Sequence, residues 1–174
     1  SGTQNVAAGV DALLNNTTGN YNSAVGYQAL ANNTIGNANT ANGLSALASN
    51  LTGNDNTAFG RSALTFMTAG SSNTAVGTTA LYNNTASNNT AVGYQAGYSN
   101  TSGTYNVALG WESLLKNTTA SNNTAIGATT LHENTTGSSN TAIGVNALYQ
   151  NQTGSFNTSI AHAALNSNTT GSSN

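Results

Sequence analysis

Neither cysteine nor proline occurs in the 174 residues. Without cysteine, no disulfide and no thiolate metal site can hold the chain together, and no redox compartment can be read from it. Charge is nearly missing as well: Lys and Arg number 2, Asp and Glu 4, and the charged fraction is 3%, against roughly 25% in ordinary soluble domains. A net charge of -2 gives no electrostatic footprint for a phosphate backbone or an anionic bilayer, so nucleic acid is not an expected partner. No run approaches the roughly 18 apolar residues that a membrane span needs, and no membrane insertion is expected. The opening SGTQNVAAG has neither the basic start nor the apolar stretch of a signal peptide, so an export signal is expected outside this stretch.

What is present is Asn, Thr, Ser and Gly, a composition shared with disordered chains. Periodicity argues against disorder. Asn5, Asn22, Asn39, Asn56, Asn73, Asn89, Asn106, Asn123, Asn140 and Asn157 open successive units of 17 residues, except that the unit from Asn73 has 16. The consensus of these ten units is N-T-A-V-G-x-x-A-L-x-x-N-T-T-G-S-x. Position one is Asn throughout. Position three is Ala except at Ser159, position five Gly except at Ala161, position nine Leu except at Gly97, and position twelve Asn except at Met67. Positions six, seven, ten and eleven accept almost any residue and are expected to face solvent.

A unit this short cannot bury its own apolar residues, so stability must come from stacking. The pattern predicts a mainly β tandem-repeat solenoid, a parallel β-roll or β-helix over residues 1–174, with one short strand per coil at Asn-Thr-Ala-Val-Gly. The following fixed positions, five, eight, nine and twelve, are spaced by three and four and predict a short helical turn. Thr-Thr-Gly-Ser closes the coil, with its Gly expected in a left-handed conformation. The short unit reads as having lost this Gly between Ala86 and Ser87. Strands about 4.8 Å apart make ten coils a rod about 50 Å long. The ten Asn of position one are expected to form a structural ladder, together with those of position twelve, each amide bonded to its equivalents above and below. Leu13, Leu30, Leu47, Leu64, Leu81, Leu114, Leu131, Leu148 and Leu165 are the expected core. The aliphatic residue at position four would pack on this Leu, leaving the small Asn, Ala and Gly row for close approach by another chain.

Little in the sequence suggests chemistry. Asp11, Asp55, Arg61, Glu112, Lys116, His132, Glu133 and His162 are scattered at different positions of the unit, and no catalytic residue, metal site or cofactor is expected. Glu112 and Lys116, four apart, read as a weak surface pair on the helical turn. Calcium-binding repeats need an Asp in every coil, and the chain has two. Asn16-Thr17-Thr18 and Asn134-Thr135-Thr136 match glycan acceptors, but an Asn- and Thr-rich repeat generates such triplets automatically. Tyr27, Tyr94 and Trp111 share position six, and Tyr82, Tyr98 and Tyr149 share position ten. They could stack on glycans or on neighbouring rods, although they form no uninterrupted row.

The run NTAVGYQAG at 89–97, with its relatives NSAVGYQAL and NTAIGVNAL, resembles the head repeats of trimeric autotransporter adhesins and similar repeats in phage tail fibres. The likeness extends along essentially the whole chain. It implies a left-handed parallel β-roll, association of three chains, and a rod that projects from a surface; the adhesin repeat itself is usually shorter than 17 residues. The expected function is a structural extracellular fibre, stalk or adhesin segment at a cell surface, or the shaft of a virion tail fibre, and not an enzyme. Self-association, as a trimer or an end-to-end filament, is the expected partnership, with a host surface or glycans as further candidates. Because the sequence starts and stops in mid-repeat, it reads as an excerpt of a longer array. A second class is ice binding by the Thr rows of positions two and thirteen, which Val6, Ser23 and Val107 interrupt. A sugar-degrading solenoid would need paired carboxylates, and Glu112 and Glu133 occupy different positions of adjacent coils.

Overall fold

The computed structural model describes residues 2–174. Its strands are β1 (Val6–Ala8), β2 (Ser23–Val25), β3 (Thr40–Asn42), β4 (Thr57–Phe59), β5 (Thr74–Val76), β6 (Thr90–Val92), β7 (Val107–Leu109), β8 (Thr124–Ile126), β9 (Thr141–Ile143) and β10 (Thr158–Ile160). They form one parallel sheet in chain order, because each return to the next strand runs once around the coil. Equivalent positions pair throughout, as in Thr57 with Thr74 and Ala58 with Ala75. The short unit keeps this register, Thr74 pairing with Thr90 and Val76 with Val92. The chain is a parallel β-solenoid.

No helix is present among the described residues, and the helical turn expected at positions five to twelve is replaced by two tight turns. In the second coil the Ala29 N–H donates to the Gly26 carbonyl at 3.3 Å, and the Asn33 N–H to Leu30 at 3.1 Å. These i to i+3 bonds link position eight to five and twelve to nine, a spacing that resembles a helical period in sequence. Between the turns the backbone enters the left-handed region, at Gln28 (φ 55°) and Leu30 (φ 51°), which breaks any helical ladder. Its hydrogen bonds run between coils instead, the Leu30 N–H donating to Ala46 at 3.0 Å.

A left-handed Leu recurs at position nine, as at Leu47 (φ 52°), Leu114 (φ 51°) and Leu148 (φ 50°). Such a conformation costs roughly 1–2 kcal/mol per residue; burying the side chain returns about 1.5–3 kcal/mol. Leu30, Leu47, Leu64, Leu81, Leu114, Leu131 and Leu148 are buried, while Leu13 is partly buried and Leu165, in the last coil, is 39% exposed. Their partners in the core are the Ala rows of positions three and eight, such as Ala75 and Ala80. At Gly97 the missing side chain is replaced by a neighbour: a Cβ there would lie 2.9 Å from Leu81 Cδ2.

The strand is turned opposite to expectation. Position three, not position four, faces the core: Ala58 and Ala91 are fully buried, while Phe59 is 53% and Val92 39% exposed. The aliphatic residue of position four therefore does not pack on Leu of position nine, and the small Ala row is unavailable to another chain. Ala of positions three and eight flanks the Leu, and Met67 joins Leu64 in the core of the fourth coil.

The two glycine positions have different reasons. Position five has φ between 124° and 141°, and a Cβ there would overlap the backbone of the equivalent residue in the next coil, Gly77 meeting Gly93. The Gly of position fifteen, expected to be left-handed, is not: positive φ falls on its neighbour at seventeen, as at Tyr105 (φ 57°) and Asn122 (φ 60°). It is small because it lies buried under its counterpart, and Ala120 takes the same place. In the short coil Ala86 fills position fifteen, its carbonyl accepting from Asn73 and Asn84. The residue missing there is an outward one, at position fourteen, rather than the Gly.

Two glycine substitutions separate these reasons. Gly77→Ala, which meets both the positive φ and the stacked backbone, should lower the thermal midpoint more than Gly137→Ala at position fifteen; equal midpoints in a calorimetric scan would refute the distinction.

Candidate functional site

Beside the Leu and Ala core, the interior of the solenoid holds a polar network built from the two Asn rows. In the coil of β8, Asn123 Nδ2 and Asn134 Nδ2 both donate to the Gly137 carbonyl, each at 2.9 Å. Asn134 Nδ2 also donates to Asn117 Oδ1 in the preceding coil (2.9 Å), and Asn151 Nδ2 donates to Asn134 Oδ1 (2.8 Å). Position twelve is thus the amide ladder expected. Position one differs: its Oδ1 accepts mainly from backbone, Asn140 N–H donating to Asn123 Oδ1 at 2.9 Å, and its Nδ2 turns within its own coil to position fifteen. The pattern runs from Asn5, whose Nδ2 donates to Gly19, through Asn22, Asn39, Asn56, Asn73, Asn89 and Asn106 to Asn157. Among the described residues no buried side-chain nitrogen or oxygen lacks a partner, the condition under which a polar interior is tolerated.

Met67 breaks the position-twelve ladder, its Sδ accepting from Asn73 Nδ2 at 3.3 Å. On the surface, Thr hydroxyls of position thirteen donate to the next coil, Thr101 to the Thr118 carbonyl (3.0 Å) and Thr118 to Thr135 (3.1 Å). Those hydroxyl hydrogens are committed to stacking. Of the many triplets that match glycan acceptors, Asn134 is fully buried, and Asn16 bonds within the ladder.

Removing one rung tests the network. Asn134→Ala leaves the Asn117 oxygen short of a donor and the Gly137 carbonyl with one, and should destabilise by about 1–3 kcal/mol; urea unfolding that returned the wild-type midpoint would show that the ladder contributes nothing.

Charged side chains gather on the coils of β7 and β8. Lys116 does not pair with Glu112 as a helix would require; its Nζ reaches across to Glu133 Oε2, one coil on, at 2.7 Å. His132 Nδ1 lies 2.7 Å from Glu133 Oε1, and its Nε2 lies 3.5 Å from Glu112 Oε2. The sequence separates these groups by up to 21 positions, and stacking brings them together. The hydrogen bond from Lys116, with that from His132, holds the Glu133 carboxyl below its usual value despite partial burial, and Glu133 holds the Lys116 ammonium above its own. A depressed carboxyl contributes stability above its unfolded value, and that contribution is lost as pH falls through the folded one. Wild type should therefore lose slightly more stability than Glu133→Gln between pH 6 and about pH 3, by the 0–1 kcal/mol typical of half-exposed pairs. Identical pH profiles in chemical denaturation would remove the pair as a contributor.

The aromatic residues stack in short groups where adjacent coils bring them together, with no continuous row along the rod. Tyr82 and Tyr98 stack with centroids 5.2 Å apart at 3°, and Phe66 packs edge-on against Tyr82 at 4.9 Å. His132 stacks on Tyr149 at 4.9 Å, and Tyr94 lies over Trp111 at 6.4 Å. Phe66, Tyr82 and Tyr98 cover one another's faces, which argues against that group as a sugar platform.

The outer face of the sheet is uncommitted within the chain. Positions two and four alternate outward from Ala of position three, giving rows that include Thr57, Thr74 and Thr90 beside Phe59, Val76 and Val92. Just past the bend at position five, a third row holds Tyr27, Leu44, Tyr94, Trp111 and Val145, each between 43% and 51% exposed. Arg61 and His162 are the only basic residues in these rows, and no Asp or Glu falls in them. One signal in the sequence pointed here. Position four accepts Ala8, Asn42 and Phe59, a tolerance no core row shows.

Among the described residues the surface holds no concave pocket, and no group of three or more His, Asp or Glu is placed to bind a metal. Comparison with protein-family models, with curated proteins and with solved structures finds no match.

Proposed function

We propose that this chain is a structural segment of an extracellular fibre, stalk or adhesin shaft, displayed at a cell surface or on a virion, rather than an enzyme. The observation that carries the reading is the Asn network, in which position one joins successive coils and position twelve does so on either side of Met67, an arrangement that favours a stiff rod. In such a rod the interior is occupied by residues whose work is stacking, and the variable positions are left outside. Its resemblance to adhesin head repeats supports display at a surface and association of three chains. Immunogold labelling of the intact source with antibody against this chain tests the reading. Gold along thin projecting fibres is the expected result, and label confined to the cell interior would overturn it.

A further inference from the structure

The outer sheet face has no cover within the chain. Along most of the sheet's length it presents apolar side chains, among them Val25, Phe59, Val92, Ile126 and Ile143, each at least 36% exposed. At about 4.8 Å between strands and about 6.6 Å between alternate residues, three rows over ten coils give a footprint of roughly 600 Å². Specific interfaces remove about 800 Å² of accessible surface from each partner, and accessible area exceeds footprint where side chains project, so this face is of the size a stable complex uses. Rows four and six are its mainly apolar part, with the Thr and Ser hydroxyls of row two alongside, and an exposed apolar patch of roughly a few hundred Å² is often an interaction site.

We infer that the outer sheet face, rows two, four and six, packs lengthwise against the same face of a second copy of this chain. The inference rests on the reading of the chain as a rod-like structural segment, because only a partner running along the rod covers the whole face. Three observations select a second copy. A charged partner would find almost nothing here to pair with, since only Arg61 and His162 interrupt the rows, and its own charges would be desolvated unpaired. The rows repeat with every coil, and another copy of the chain carries the same repeat. A lattice of identical sites such as ice would need uniform rows, whereas position four varies from Ala8 and Asn42 to Phe59 and Leu109. Such unequal residues can interlock between two protein surfaces.

The absence of cysteine allows a direct test. Val92→Cys and, as a control on another exposed face, Thr119→Cys each give the chain a single thiol. With a short bis-maleimide, Val92→Cys should be captured as a covalent dimer in high yield and Thr119→Cys at least tenfold less. In parallel, light scattering should give the wild type a multiple of 17.4 kDa, and Val92→Glu with Ile126→Glu should return it to the single-chain mass. Both replaced side chains are solvent-exposed in the isolated chain, so an unchanged circular dichroism spectrum is expected to confirm that the fold is kept. A wild type that stays at the single-chain mass at high concentration overturns the inference, as does equal capture of both thiols. Thermal hysteresis from a single-chain species would assign the face to ice instead. None of these outcomes bears on whether the fibres are labelled at the surface, so the two readings fail separately.

Discussion

A side-chain amide taken out of water must have its donors and acceptor answered, or its burial opposes folding. This solenoid buries two such amides in nearly every coil, and their shared acceptor is the carbonyl of position fifteen. Asn of position one reaches it from the start of the coil and Asn of position twelve from near its end, as Asn140 and Asn151 both reach Gly154. The carbonyl thereby closes the coil on itself. The amide oxygens left over accept from the next coil, so closure and stacking are satisfied by the same groups.

Other features follow from that closure. Position fifteen must bring its backbone under the next copy of itself, which admits Gly and, at Ala86 and Ala120, nothing larger. Position twelve must be aimed inward within a few residues of the strand, and the two tight turns do this by placing Leu of position nine in the left-handed region. The strain is accepted because the same geometry directs the Leu side chain into the space between the Ala rows. Position fourteen contributes nothing to the network, which is why the short coil can omit it: Ala86 still presents its carbonyl to Asn73 and Asn84.

The repeat, the stacking order, the Leu row and the fixed Asn rows were legible in the sequence because ten copies supply their own comparison. Other features were not legible, for physical reasons. A spacing of three arises from i to i+3 turns as readily as from a helix, and only backbone angles distinguish them. The direction of the strand was misjudged by hydrophobicity, since Val and Ile were placed inside and Ala outside. Invariance was the better guide: Ala of position three hardly changes, while position four accepts Asn42. The encounter of Glu112, His132 and Glu133 was not legible, because the wrong local structure paired Glu112 with Lys116.

Departures from the consensus cluster where stacking is least regular. Met67, the short coil from Asn73 and Gly97 fall in three successive coils, and each has a local substitute: the Met67 sulfur accepts from Asn73, Ala86 stands in for Gly, and Leu81 fills the space at Gly97. In a solenoid, stability is close to a sum of neighbour-to-neighbour terms, so defects placed together weaken adjacent joints rather than many separate ones. The Asn ladder of position twelve is continuous from Asn84 to Asn168 on one side and from Asn16 to Asn50 on the other. Across Met67 the position-twelve amides give no connection, and the coils are joined by the position-one Asn, the sheet and other bonds between coils, such as Leu64 N–H to the Ala80 carbonyl and Ser71 N–H to Ser87 Oγ. Phe66, Tyr82 and Tyr98, stacked on the outside of these same coils, add an external contact where the internal ladder is interrupted.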